Sequence, residues 1–394
     1  MTASVVVMNS SAVALATDSA VTVPHGSGMK HYQGACKLVA SHAEAPIAML
    51  WYGSPDYLGV PWEVIIKDYR RQRSARLPEV SDYASDFLEY LDAEWARHDD
   101  SEPPAAGLAR DLLATVEKSL SERTVEPKAT IEGRIKAWRQ SLQPRQRVLT
   151  DAEVDRCDRL TQWLEDEMRR IDEVTHGLPE AAGEELRRAA RSAWTHLSTR
   201  EPLHSGLVFA GFGEGDRLPA MCSYLVGLPI EGKPRRAKGD YVLVTSEFPA
   251  AIIPFAQNDL VRLFMEGLHP TLRKFMTDML GELNEMLGVD DPFVERMKRL
   301  LGNHIDDHGR PVVDAVRFLP KADLAEFARA LISFTAFRLR MSMAQETVGE
   351  PIDVAVVSRS EGVVWVRRSH YFPAHLNPHF YSRYGAIIPP NATQ

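Results

Sequence analysis

Four residues near the start of the chain have types and an order that could do chemistry: Thr2, Asp18, Lys37 and Gly53. A threonine hydroxyl is a weak nucleophile until a base stands within hydrogen-bond reach. An α-amine has a pKa of roughly 7.7–8.0, near working pH. Removal of Met1 would therefore give Thr2 both a nucleophile and its own base. A lysine nearby would ease deprotonation of the hydroxyl, and an aspartate would hold that lysine in place. Glycine lets the backbone come close to a substrate, so the Gly53 N–H is the candidate donor to a developing oxyanion.

These residues need elements to bring them together. "SVVVM" and "AVALAT" are apolar runs flanking Asn9-Ser10-Ser11, a turn cluster, and they predict a β-hairpin. A turn centred near Ser10 sets Thr2 opposite Asp18. "CKLVASH" and "PIAMLWYG" predict a second strand pair, carrying Lys37 and ending at Gly53. In "VPWEVIIKDYRRQ", Trp62, Ile65, Ile66 and Tyr69 share one helical face.

Beyond this block the composition changes. Residues 76–204 are rich in Glu, Arg, Ala and Leu, as in "LTQWLEDEMRRIDEV", and read as amphipathic helices forming an insertion or subdomain. Strands are expected again at 205–213, 220–228 and 240–248. Long helices follow at about 256–303 and 320–345, then two closing strands, "IDVAVVSRS" and "GVVWVRR". The basic stretch "EGKPRRAKG" (231–239) reads as a solvated hairpin tip, and the aromatic, proline-containing tail as irregular packing. Segregated runs of strands and helices predict an α+β fold with antiparallel sheets. The chain divides into 1–75, 76–204 and 205–394.

Composition narrows the function classes. A net charge of −8 in 394 residues argues against a general nucleic-acid binder. Cys36, Cys157 and Cys222 are far apart, which suits a reducing cytoplasm and offers no disulfide framework. The apolar start has no Lys or Arg before Lys30, so it reads as mature structure, and no run approaches the ~18 apolar residues of a membrane helix. His370, His375 and His379 lack a Cys or Asp framework, so no metal is expected. "GFGEGD" lacks the Lys-Ser/Thr ending of a phosphate loop, so no cofactor is expected.

Thr2, "ATDSAVT", "KL" and an apolar strand ending in "YG" before a helix together resemble proteasome-type β subunits and their bacterial relatives, within the N-terminal nucleophile (Ntn) hydrolase superfamily. The resemblance implies a four-layer α/β/β/α sandwich, here enlarged by helical insertions. It implies Thr2 as nucleophile, Asp18 and Lys37 as its charge partners, Gly53 as oxyanion donor, and assembly into homo-oligomeric rings. It places the distal part of the site near Glu346, Thr347 and Asp353. The expected function is threonine-dependent hydrolysis of amide bonds, with a peptide or other amide as substrate. The alternatives are a non-catalytic scaffold of the same fold that binds partners, and a small-molecule amidase.

Overall fold

The opening apolar runs pair as an antiparallel hairpin, β1 (Ala3–Asn9) with β2 (Ala12–Asp18). Its register is one residue away from the expected one: Asn9 faces Ala12 and Ser4 faces Thr17. The reason is Asn9. Its Oδ1 accepts from the N–H groups of Ser11 and Ala12, so the turn centres between Ser10 and Ser11. Continued by one pair, this register brings Asp18 level with Ala3, not Thr2.

The computed structural model describes residues 2–25, 28–32, 34–42, 45–95, 133, 135–136, 139–140, 145–175, 180–198, 204–287, 292–341, 348–370, 372 and 376–377. After the hairpin come β3 (Val21–His25) and β4 (Gly28–Tyr32), a small two-stranded ribbon that the sequence reading missed. Next are β5 (Leu38–Ala40), β6 (Ile47–Gly53), the two-residue strands β7 (Asp56–Tyr57) and β8 (Val60–Pro61), α1 (Trp62–Gln72) and α2 (Val80–Trp95). A helical region follows, with β9 (Arg145–Arg147), α3 (Asp151–Val154), α4 (Asp158–Thr175), α5 (Glu180–Thr195) and β10 (His196–Ser198). Then come β11 (Ser205–Gly211), β12 (Ala220–Ile230), β13 (Lys233–Leu243) and β14 (Ala250–Ala256). The last elements are α6 (Asp259–Glu266), α7 (Pro270–Leu287), α8 (Pro292–Val316), α9 (Lys321–Arg340), β15 (Ile352–Ser358) and β16 (Gly362–Arg367).

Two five-stranded antiparallel sheets carry the fold, ordered β14-β1-β2-β15-β16 and β13-β12-β11-β6-β5. Their inner faces share one core: Val6, Met8, Val13 and Leu15 from the first meet Leu38, Leu50, Val208 and Met221 from the second. The alternate residues of β1 and β2, Val5, Val7, Ala14 and Ala16, pack with Leu324, Ala328 and Ile332 of α9. Met49, Trp51 and Phe209, on the other face of the second sheet, pack with Ile66 and Tyr69 of α1 and Tyr83 and Phe87 of α2. The fold is thus a mixed α+β arrangement of antiparallel sheets and helices. Every residue of β1 and β2 is buried, because both faces of the hairpin are covered.

Three expectations change. Helix α2 lies within 76–204 yet belongs to the core of the second sheet, and a separate cluster forms around Leu149, Val154, Leu164, Leu186 and Trp194. Residues 250–256, which fall between the strand expected at 240–248 and the helix expected from about 256, form β14. Its Pro254 is tolerated because β14 is a sheet edge, where a missing N–H breaks no ladder bond. "EGKPRRAKG" is not a solvated tip: most of it lies in β13, and Arg235 is fully buried. The Arg235 guanidinium donates to the carbonyls of Ala193, Trp194 and His196, closing the C-terminal end of α5.

Asn9 also ties the hairpin to the helical layer. Its Nδ2 donates to the carbonyls of Val316 and Leu319, each at 3.0 Å, at the end of α8. Replacing it, as Asn9→Ala, removes both the turn acceptor and this buried donor. The expected loss is about 1–3 kcal/mol of unfolding free energy, read as a lower urea midpoint at unchanged slope.

Candidate active site

Lysine 37 lies just before β5, at the end of the molecule where β1 begins and β2 finishes. Its Nζ donates to Thr2 Oγ1 at 3.0 Å, to Asp18 Oδ1 at 3.1 Å, and to the Ala20 carbonyl. The three N–H groups of an ammonium thus have three acceptors. Thr2, Asp18 and Lys37 are 5%, 0% and 4% exposed, so the charges have no useful contact with water. Asp18 is held in turn: Oδ1 accepts from Ala3 N at 2.9 Å and Oδ2 from Ala20 N at 3.0 Å.

This is how the shifted register still joins Thr2 to Asp18. The carboxylate takes the Ala3 N–H, and the lysine spans the remaining gap to the Thr2 hydroxyl. The Thr2 backbone is fixed from the other side, where its carbonyl accepts from Gln257 N at 3.0 Å, just past β14. Burial pulls the Lys37 ammonium below the ordinary lysine range, opposed by the Asp18 charge and hydrogen bond. Burial pushes Asp18 up, opposed by Lys37 and by the Ala3 and Ala20 N–H groups.

Thr2, Lys37 and Gly53 line one cavity of about 450 Å³, within the size range of small-ligand sites. Asp18 lies behind them, reaching the cavity only through Lys37. Gly53 has φ +90°, and a Cβ there would come 2.4 Å from the His204 carbonyl oxygen, so this bend at the end of β6 requires glycine. The structure groups Thr2, Asp18 and Lys37 by hydrogen bonds and sets Gly53 on the same cavity; the sequence reading did not include the walls. Glu63 and Lys67, four apart on α1, form an ion pair on one side. Arg368, Ser369, His370 and Phe372, after β16, form another. The i,i+4 spacing of Glu63 and Lys67 was a usable signal, but nothing local marks the segment after β16 as a cavity wall.

Cys36 also lines the cavity, yet burial, followed by the Glu63 charge, pushes its thiol up to about 11, and Sγ donates to the Leu38 carbonyl at 3.3 Å. It is a protonated packing thiol at neutral pH. Burial, then the nearby Arg368 charge, pulls His370 below the ordinary histidine range. Asp353 of β15 is buried and accepts from Ser369 N at 2.7 Å. Glu346 and Thr347 lie outside the described residues, as do His375 and His379. Among the described residues, no three His, Cys, Asp or Glu side chains gather as a metal-binding group, and no helix is long and apolar enough to cross a membrane.

No protein-family model matches this chain, and no curated protein matches it. Solved structures of Anbu from Hyphomicrobium sp. strain MC1 do match. The Gly-1 mutant superposes with a TM-score of 0.29 at 10% identity over 99% of both chains. A second crystal form of Anbu gives 0.30 at 10% identity over 98% of both. These values correct the resemblance to the Ntn-hydrolase superfamily and its proteasome-type members: the chain is not assigned there. The resemblance rested on four features in one hairpin and two strands. Antiparallel strands and a paired buried lysine recur wherever the same packing constraints apply, so they do not identify a lineage.

The buried pair makes a direct stability prediction. Lys37→Met strands the Asp18 carboxylate, and Asp18→Asn strands the Lys37 ammonium. Each single change should cost about 3–5 kcal/mol, because one uncompensated charge remains buried. The double variant should lose clearly less than the two losses added together. Urea unfolding of the four proteins at neutral pH reads both.

Proposed function

We propose that this chain is a threonine-nucleophile hydrolase of amide bonds, acting as a peptidase once the Met1–Thr2 bond is cut. The observation that carries the reading is the 3.0 Å hydrogen bond from Lys37 Nζ to Thr2 Oγ1, made by a lysine that is itself buried and paired with Asp18. A cation held in this way favours the deprotonated form of the hydroxyl to which it donates.

In this reading the freed Thr2 α-amine accepts the Oγ1 proton as the oxygen attacks the substrate carbonyl. Lys37 stays protonated and favours the developing alkoxide, while Asp18 holds Lys37. The Gly53 N–H donates to the tetrahedral oxyanion. Collapse expels the amine, which takes the proton from the α-ammonium and leaves an ester on Thr2. Water, deprotonated by the same α-amine, then releases the acid and restores Oγ1–H. The finer view of the fold belongs to the same proposal. The order α1 and α2, second sheet, first sheet, α9 supports four layers, with the site at one end of the two sheets and the helices around α4 and α5 as an added unit.

A threonine-directed β-lactone tests the nucleophile. Intact mass should show one adduct on the chain cleaved before Thr2, mapped to Thr2 and absent from Thr2→Ala. No adduct on the cleaved chain would end the hydrolase reading and leave a partner-binding protein.

The pH profile tests the roles. The acylation rate should rise as the α-amine loses its proton, through roughly pH 7.7–8.0. It should fall again when Lys37 loses its proton. Burial lowers the Lys37 pKa, so the alkaline limb should begin below the ordinary lysine range. A rate that keeps rising past that range would remove Lys37 from the mechanism.

A further inference from the structure

The wall formed after β16 carries positive charge that the reaction as proposed does not use. Arg368 lines the cavity that holds Thr2, and together with Ser369 it also lines a second recess of about 290 Å³. The recess is also lined by Arg329 and Arg367. The two cavities therefore adjoin across the Arg368–Ser369 backbone. That backbone is pinned, since Ser369 N donates to the buried Asp353 carboxylate. The Arg368 guanidinium lies over the Trp365 ring, with Cζ 4.7 Å from the ring centroid. Stacking holds the planar group by its face and leaves its N–H edge available.

Among the described residues no carboxylate occupies the Arg368 guanidinium edge. Glu63 is committed to Lys67, and Arg329 to Glu326. Glu350 lines the recess with the arginines, and the Asp353 carboxylate is buried beneath Ser369, where it accepts the Ser369 N–H. Among the described residues neither Arg367 nor Arg368 forms an ion pair with them. A planar guanidinium fork with its edge free matches a carboxylate, which it can bind bidentately.

We infer that Arg368 is the specificity residue of the Thr2 cavity and selects acyl groups bearing a side-chain carboxylate, as in a peptide cut after glutamate. The inference rests on the proposed hydrolase reading for its reaction, but not for its binding site, so binding alone tests it. Three acetylated, C-terminally amidated tripeptides, Ala-Ala-Glu, Ala-Ala-Leu and Ala-Ala-Lys, are titrated calorimetrically into the full chain carrying Thr2→Ala, which prevents turnover. The glutamate peptide should bind about tenfold or more tighter than the leucine peptide, the scale of a charge-assisted hydrogen-bonded pair. Adding Arg368→Gln should abolish that preference. Adding Lys274→Gln should keep it, because Lys274 is exposed on α7 and lines neither cavity. Arg368 is exposed, so its replacement should leave the thermal midpoint unchanged, confirming a folded variant.

Equal or tighter binding of the leucine or lysine peptide would overturn the inference, as would no binding of any peptide or a preference that survives Arg368→Gln. The two readings fail separately. β-Lactone labelling of Thr2 without glutamate preference removes this inference and keeps the hydrolase. Glutamate preference without labelling removes the hydrolase and keeps an acidic-peptide site.

Discussion

A single ammonium group taken out of water governs the organisation of this corner of the protein. Transferring an isolated lysine charge into the interior is prohibitive unless each of its protons finds an acceptor and an opposite charge stands beside it. Lys37 meets both conditions with Asp18, the Ala20 carbonyl and the Thr2 hydroxyl. Those acceptors come from the start of β1 and the end of β2, while the lysine leads into β5 of the other sheet. The ion pair therefore joins two sheets whose other inner contacts are apolar and non-directional. Apolar packing would tolerate small slides between them; a three-acceptor ammonium does not.

The hairpin beneath the site is held at both ends. At the turn, Asn9 uses its acceptor locally and its donor on the end of α8. At the open end, Gln257 holds the Thr2 carbonyl and Asp18 holds the Ala3 N–H. Between them β1 has a strand on each side, β14 and β2, so it is an interior strand. A hydroxyl at the head of an interior strand, as Thr2 is, keeps its position without relying on loop order. That pre-organisation is what the proposed attack on an amide carbonyl would require.

The cavity wall is assembled on a different principle. Its parts, α1 and the segment after β16, are about 300 residues apart in sequence, and they meet because the sheets behind them meet. The wall can vary in charge and size without disturbing the Lys37 network, which sits deeper. The two parts are physically separate: Arg368 stands on the surface of the cavity, and Asp18 stands behind it.

The sequence alone settled what local physics settles. Alternating and continuous apolar runs marked β1, β2, β6, β11, β12 and β15, and the face shared by Trp62, Ile65, Ile66 and Tyr69 marked α1. The types and order of Thr2, Asp18, Lys37 and Gly53 singled out the residues that the fold gathers, because a lysine in an apolar strand setting has to be paired. The hairpin register was missed by one residue, since it depends on where the Asn9 side chain places the turn. Residues 250–256 were missed as a strand because Pro254 argues against one until the strand is known to be an edge. Arg235 looked like solvated surface because its acceptors are the carbonyls at the end of α5, which no local pattern discloses. Arg368 looked like the last residue of the closing strand "GVVWVRR", and Ser369 like the step from that strand into the tail. Their place in the cavity depends on β15 and β16 extending the sheet of β1 and β2, a long-range pairing that only tertiary structure can decide.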